Sequence, residues 1–112
     1  MADEVWSPDR RVLVKLSCHE SLPTQWICGP RVTVEPEGEI LLDLWDADAW
    51  RWDARVSFDS DGLLRLTFRE YPGTSAECVV VVDTAARTYR IESGRPARFL
   101  EKRLDIALRP AT

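Results

Sequence analysis

The chain has 112 residues, which predicts a single domain over residues 1–112. A content of 45% hydrophobic and 30% charged residues is that of an ordinary globular protein, and five tryptophans exclude disorder, which requires few aromatic residues. The formal net charge of −4 argues against a general nucleic-acid binder, so we expect no nucleic-acid partner.

The charges are divided unevenly along the chain. Residues 1–62 hold thirteen acidic and six basic residues, a net charge of −7, whereas residues 63–112 hold six acidic and nine basic residues, a net charge of +3. The basic half can bind an acidic partner, or it can lie against the acidic half of its own fold or of a second copy. We favour the self-complementary interpretations, because surface charge is usually only solvated.

The first strands are predicted by alternating apolar residues. One strand covers residues 12–18, and its inward face is formed by Val12, Val14, Leu16 and Cys18. A loop over residues 19–23 follows. Residues 25–35 then form a strand interrupted by Gly29 and Pro30, which is typical of an edge strand with a bulge or bend.

Two hairpins follow, each built around a turn that ends in glycine. The turn over residues 35–38 suits a three-residue loop that pairs Glu35 with Glu39. Val34 is then expected to face Ile40, and Val32 to face Leu42. Ile40 and Leu42 would then both point into the core.

The second hairpin has the same construction around residues 59–62. Its expected partners are Phe58 with Leu64, Val56 with Leu66, and Ala54 with Phe68. In both hairpins the turn chemistry and the hydrophobic alternation independently select one register, and a one-residue slip would expose every core side chain.

The C-terminal half predicts a central strand, a further strand and a helix. Residues 78–82 are apolar on both faces, so another layer or a partner subunit must cover the second face. Residues 88–93 form the next strand, with Tyr89 and Ile91 inward. Residues 96–108 alternate partly like a strand, but their helix propensity favours a helix, which would cover the outer face of the valine strand.

These elements predict an all-β, mainly antiparallel meander of about seven strands with a short C-terminal helix. The strands form either a sandwich or a partly closed barrel. The pattern does not choose between these two architectures.

The cysteine pattern predicts reduced thiols. Cys18, Cys28 and Cys78 are odd in number and contain no Cys-x-x-Cys pair, and a free cysteine inside a strand behaves as a small buried hydrophobe. The acidic N-terminus lacks the apolar segment of a signal peptide, and the longest apolar run is too short to cross a bilayer. We therefore expect a cytoplasmic protein without membrane association.

A tryptophan-rich, acidic segment is the predicted site for a ligand or a partner. Loop tips often carry function, and aromatic rings beside carboxylates suit a binding platform. The predicted residues are Trp45, Asp46, Asp48, Trp50 and Trp52. The alternative is that Trp50 and Trp52 belong to the core and that the aspartates belong to a loop.

No catalytic, metal or cofactor motif accompanies this site. Cys18 and His19 are adjacent, so on a strand they point to opposite faces and cannot pair as nucleophile and base. The cysteine and histidine spacing matches no zinc pattern, and a hairpin turn explains the aspartates of residues 59–61 without calcium. We expect no metal, no cofactor and no enzymatic activity.

The predicted function is therefore non-catalytic protein binding, to another protein or to itself as a homodimer. The alternative is a barrel that holds a small apolar or aromatic ligand among Trp50, Trp52, Phe58, Phe68 and Tyr89. A third hypothesis is an enzyme that uses the aspartates near Trp45.

Overall fold

A computed structural model describes residues 2–22, 25–45, 52–70, 77–96 and 98–111. Within these ranges the chain forms nine strands and one helix. In chain order they are β1 (Ala2–Trp6), β2 (Val12–Leu22), β3 (Gln25–Val34), β4 (Glu39–Asp43), β5 (Trp52–Phe58), β6 (Leu64–Glu70), β7 (Glu77–Asp83), β8 (Thr88–Ser93), α1 (Arg98–Ala107) and β9 (Arg109–Pro110).

The strands form two sheets in sequence order. β1 to β4 make a four-stranded antiparallel sheet, and β5 to β9 make a five-stranded sheet in which only the pairing of β8 with β9 is parallel. Within the described residues neither sheet closes into a barrel, and the arrangement is sandwich-like. The predicted all-β antiparallel class is confirmed, and of its two architectures the sandwich is found.

One buried cluster draws on both sheets and on the helix. Its members are Val12, Val14, Val32, Leu41, Leu42, Leu44, Ala54, Leu64, Leu66, Phe68, Cys78, Val80, Val82, Tyr89, Leu100, Leu104 and Leu108. Burying each of the larger aliphatic or aromatic side chains contributes about 1.5–3 kcal/mol, so this cluster is the main source of stability.

The β5–β6 hairpin has the predicted register. Phe58 pairs with Leu64, Val56 with Leu66, and Ala54 with Phe68, as predicted. The turn is held by the Asp59 carboxylate, which accepts hydrogen bonds from the backbone N–H groups of Asp61 and Leu63, each 2.9 Å long. Gly62 adopts a φ of +80°, the left-handed conformation that the pattern required.

The β3–β4 hairpin differs from its prediction near the turn. The turn uses four residues, with the Gly38 N–H donating to the Val34 carbonyl over 2.8 Å, so Val34 pairs with Glu39. The register shifts farther along, and Leu41 is the extra residue of this bulge. Ile40 is consequently 47% exposed, and its predicted inward position is wrong.

The first sheet is larger than its sequence pattern indicated. β1 was not predicted, and β2 continues to Leu22 through residues that were expected to form a loop. β3 runs without interruption through Pro30 and lies between β2 and β4, so the edge-strand prediction is also wrong. The Pro30 carbonyl oxygen accepts from the Leu44 N–H, so the polar backbone groups of Pro30 point toward the end of β4. Proline is tolerated here because the N–H that it lacks would point to that side and not to β2.

Two of the three cysteines are paired. Cys18 and Cys28 lie directly opposite each other on β2 and β3 and form a disulfide, whereas Cys78 is free and buried. The expectation of reduced thiols is therefore wrong for Cys18 and Cys28. The pairing depends on the extended β2–β3 register, which the sequence pattern did not reveal. The cysteine argument for a reducing compartment no longer holds.

The predicted C-terminal helix is present, but it does not cover the outer face of the valine strand. Leu100 and Leu104 are buried in the shared core, and α1 packs beside β4. On the outer face of the second sheet, Val81 is paired across its strands with Arg65 and Arg90. It is only 3% exposed. The aliphatic part of an arginine side chain can cover apolar surface while its charged end stays in water. Val81 is therefore buried without a further layer of structure on this face.

Candidate functional site

Of the five predicted site residues, Trp45 alone has a described side chain. Asp46, Asp48 and Trp50 lie outside the described residues, and Trp52 begins β5 with its side chain also outside them. The structure therefore places one member of the predicted group.

Trp45 lies against the first sheet. Its indole N–H donates to the Lys15 carbonyl oxygen over 3.1 Å, which reaches across β3 to β2. The guanidinium of Arg31 lies 3.9 Å from the centroid of the Trp45 ring, a cation–π contact. Because its N–H is satisfied and its ring is covered by Arg31, Trp45 fixes the end of β4 to the sheet.

Asp43 connects three elements around this tryptophan. One carboxylate oxygen lies 3.2 Å from an Arg31 Nη atom in an ion pair, and the other accepts from the Trp45 backbone N–H over 3.0 Å. The Asp43 carbonyl oxygen accepts from the Arg103 guanidinium over 3.2 Å. Asp43 thus links β3 and the chain after β4 to α1, and Arg103 occupies part of the open edge of β4.

An apolar patch adjoins Asp43. Among the described residues, the large hydrophobic side chains that remain exposed are Ile40, Phe99 and Ile106. All three belong to β4 or α1. Ile106 is 77% exposed and lies with Ile40 along a shallow groove of about 60 Å³ between the two elements. The residues Ile40, Asp43, Arg103 and Ile106 are called the β4–α1 surface below.

This surface was not among the sites predicted from the sequence. Ile40 was assigned to the core because the bulge at Leu41 was not foreseen. Ile106 carried a usable signal: on a helix it lies away from the face formed by Leu100 and Leu104. The helix predicted over residues 96–108 therefore already implied an isoleucine in solvent.

A second cleft lies at the turn end of the first sheet. Its volume is about 860 Å³, and its lining residues are Trp6, Arg10, Arg11, Val34, Glu35, Pro36 and Glu37. The Arg10 guanidinium lies 5.3 Å from the centroid of the Trp6 ring. The charged lining is balanced between arginine and glutamate, so it favours neither an anionic nor a cationic ligand.

Two titratable groups in the core hold their protons tightly. Burial raises the pKa of the Cys78 thiol, and the nearby Glu101 carboxylate raises it further. Burial is also the main cause that raises the pKa of Tyr89 to about 12, with a contribution from its hydrogen bond to Asp105. The Tyr89 hydroxyl donates to Asp105 over 2.6 Å. At neutral pH neither group supplies an anionic nucleophile or base.

The aromatic residues proposed to line a ligand cavity are mostly packed. Phe68 is fully buried and Tyr89 is 7% exposed, and both belong to the core cluster. Phe58 packs against the same cluster. These three rings therefore serve the contact between the two sheets.

Comparison of the chain with protein-family models, with curated proteins and with solved structures gives no match. In the described part of the chain, no helix combines the length and apolar character needed to cross a membrane. Among the same residues, no group of three or more histidine, cysteine, aspartate or glutamate side chains is arranged to hold a metal ion.

Proposed function

We propose that this chain is a non-catalytic protein-binding domain and that the β4–α1 surface is its binding site. The observation that carries the proposal is the exposure of two neighbouring isoleucines on adjacent elements, Ile106 at 77% and Ile40 at 47%. Exposed apolar patches rimmed by polar groups are typical of protein contact sites. Asp43 and Arg103 provide such a rim.

The contacts around this surface hold it in one conformation, so that a partner can bind with little loss of conformational entropy. The Asp43 contacts to Arg31, Arg103 and the Trp45 backbone hold the end of β4 in place. A surface that is already ordered loses less conformational entropy when a partner binds. Homodimerisation is one form of this binding.

The cytoplasmic location remains a prediction. Structural disulfides are more frequent in oxidising compartments, so the Cys18–Cys28 pair favours such a compartment. The fraction of the protein that carries the disulfide in the cells that produce it decides between the cytoplasm and an oxidising compartment. It is measured after acid quenching and alkylation of the free thiols.

Site-specific photo-crosslinking tests the proposed surface. A photoreactive amino acid is placed at Ile106 in one variant and at Asp61 in a control variant, because Asp61 is exposed in the β5–β6 turn of the other sheet. In the cells that produce the protein, we expect a defined protein adduct from position 106 and none from position 61. Adding Ile40→Asp should abolish that adduct. Equal yields from both positions, or no adduct from position 106, contradict the proposal.

A further inference from the structure

We propose that the cleft at the turn end of the first sheet binds a short peptide segment that carries a basic and an acidic side chain on either side of an apolar residue. This cleft is a second site, because none of its lining residues belongs to the β4–α1 surface. Its volume of about 860 Å³ lies in the range of clefts that hold small ligands, roughly 300–1,000 Å³.

Two neighbouring turns build the walls of the cleft. The turn between β1 and β2 contributes Arg10 and Arg11, and the turn between β3 and β4 contributes Pro36 and Glu37. The backbone N–H of Glu35 donates to the Arg11 carbonyl oxygen over 2.7 Å, so the two turns are joined directly. The backbone of the cleft is therefore fixed before a ligand binds, which lowers the entropic cost of binding.

The turn between β1 and β2 is stabilised by its own polar groups. The Ser7 hydroxyl donates to the Asp9 carboxylate over 2.6 Å and accepts from the Val12 N–H over 3.0 Å. Asp9 also accepts from the Arg11 N–H over 3.1 Å. The hydrogen bond from Ser7 is the main cause that lowers the pKa of Asp9, and the charge of Arg11 makes a smaller contribution. Asp9 thus holds the turn and is not part of the lining of the cleft.

Arg10 has an uncommon backbone conformation at the edge of the cleft. Its φ of +63° lies in the left-handed region, which is unfavourable for a residue with a Cβ. Residues held in this conformation are concentrated at binding and active sites. The guanidinium lies 5.3 Å from the centroid of the Trp6 ring, and the N–H groups in its plane can still donate to the carboxylate of a ligand.

The cleft carries charges of both signs that do not pair with each other. None of the ion pairs formed in the described part of the chain includes its four charged lining residues, which are Arg10, Arg11, Glu35 and Glu37. A ligand with charge of one sign is attracted by two of these groups and repelled by the other two. A ligand with one charge of each sign can be attracted by all four. The apolar part of the lining suits the residue between the two charges, and it consists of Trp6, Val34 and Pro36.

Amide NMR spectra of isotope-labelled protein, titrated with three tripeptides, test the proposal. The peptides have acetylated and amidated ends and the sequences lysine–leucine–glutamate, lysine–leucine–lysine and glutamate–leucine–glutamate. We expect the mixed peptide to shift the signals of residues 6–11 and 34–37 and to bind about tenfold more tightly than the other two, because each of those brings a repelled charge into the cleft. Equal affinities for the three peptides, or no shifts in these residues, would overturn the proposal.

Substitutions of Arg11 connect this binding to the cleft. Its side chain is exposed and its backbone keeps the bond between the turns, so the variants should fold like the wild type. Arg11→Gln should weaken binding of the mixed peptide about threefold or more. The matched control, Arg55→Gln, removes an exposed guanidinium from the other sheet and should bind like the wild type.

Arg11→Glu should reverse the preference among the peptides. Acidic groups then outnumber basic groups in the lining, so the peptide with two lysines should bind more tightly than the mixed peptide. An unchanged order of affinities in Arg11→Glu, or equal binding by Arg11→Gln and Arg55→Gln, would show that the peptide does not bind in this cleft.

Discussion

Asp43 is the single residue on which most contacts of the β4–α1 surface depend. Its side chain pairs with Arg31 and accepts from the Trp45 backbone, and its carbonyl meets Arg103. The side chain is only 28% exposed, so its interactions are partly shielded from water. The cation–π contact of Arg31 with Trp45 depends on the same carboxylate, which holds the guanidinium in position.

Removing the Asp43 carboxylate should therefore destabilise the protein. For Asp43→Ala we expect a loss of about 1–3 kcal/mol in the free energy of unfolding, because Arg31 and the Trp45 N–H lose a charged acceptor. Asp61→Ala is the control, since Asp61 is exposed in a turn, and it should change stability by no more than roughly 0.5 kcal/mol. Urea unfolding measures both; equal losses would mean that the Asp43 contacts contribute little.

The raised pKa of the Tyr89 hydroxyl predicts that the stability of the fold decreases at alkaline pH. Its pKa is raised to about 12 in the folded protein, above the ordinary value near 10 that applies to the unfolded chain. The folded state therefore holds this proton more tightly. The associated stability is fully present below roughly pH 10 and is lost as the pH rises toward 12.

Absorbance titration of the tyrosinate band tests this pKa. We expect Asp105→Asn to lower the pKa of Tyr89, because the carboxylate no longer accepts from the hydroxyl or repels the phenolate. Burial should keep the pKa above its ordinary value. The spectrum of Tyr71, the second tyrosine, is removed with a Tyr71→Phe background. A Tyr89 that titrates near 10 in the wild-type protein would contradict the packed position of its ring.

At the scale of elements, local chemistry predicted some hairpins well and others poorly. The β5–β6 register followed from its turn and its alternation, which agreed at every position. The register predicted for β3 and β4 is wrong near Ile40. The four-residue turn and the bulge leave the core filled, because Leu41 takes the buried position that was predicted for Ile40. A bulge of that kind leaves no mark in an apolar run such as residues 40–42, so alternation alone cannot locate it.

Packing between elements was beyond the sequence pattern. The helix was predicted over residues 96–108 from its propensity and its apolar face, but the neighbour predicted for it, the outer face of the valine strand, was wrong. The short, partly acidic β1 carries no alternation, and the two-residue β9 is too short to show a period. The candidate surface was missed for the same reason, since it exists only where β4 and α1 lie side by side.

Two glycines in the same backbone conformation provide a matched test of the turns. Gly94 has a φ of +76°, and an added Cβ would overlap the carbonyl oxygen of Glu77 and lie 2.9 Å from the Cα of Cys78. Gly38 has a φ of +75°, but nothing lies within 4 Å of an added Cβ. Gly94, which follows β8, therefore serves both the left-handed bend of the backbone and the close approach of β7, whereas Gly38 serves the β3–β4 turn alone.

Alanine at either position should cost stability, but by different amounts. Gly38→Ala carries the conformational penalty, about 1–2 kcal/mol. Gly94→Ala carries the same penalty and a steric cost of about 1–3 kcal/mol in addition, because backbone atoms must move. Thermal or urea unfolding compares the two variants. A Gly94→Ala protein as stable as Gly38→Ala would show that β7 does not pass so close to residue 94.

The cross-strand cysteine pair predicts the number of reactive thiols. Alkylation of purified protein under denaturing, non-reducing conditions should modify Cys78 alone, because Cys18 and Cys28 form a disulfide. After reduction, all three cysteines should react. Mass spectrometry distinguishes the two states by the number of labels. Three labels before reduction would support the reduced thiols expected from the sequence.

At the scale of the whole molecule, the acidic and basic halves of the chain meet in part within one copy. Glu39 and Arg87 form an ion pair of 2.7 Å between the halves. Other pairs, such as Glu4 with Lys15 and Arg65 with Glu92, join residues of the same half. Exposed pairs contribute little, about 0–1 kcal/mol each. The charge division therefore matters more for what the surface can bind than for the stability of the fold.

The all-β class was predictable because alternation repeats over many residues, whereas the choice of a sandwich required the contacts between sheets. The interior is filled by side chains from both sheets and α1, and the large hydrophobic side chains that are exposed in the described part of the chain are on β4 and α1. The function proposed for the molecule depends on that asymmetry, with a packed interior and, among the described residues, an apolar surface on β4 and α1 that remains in water.

Concentration-dependent amide NMR spectra test the homodimeric form of the proposed binding most directly, since they report on every part of the surface at once. As protein concentration increases, we expect the signals of residues 37–43 and 98–107 to shift, while those of the β5–β6 turn at residues 59–62 stay constant. The Ile106→Asp variant should show no such shifts. Shifts confined to residues 59–62, or to the outer face of the second sheet, would contradict the binding surface proposed for this protein.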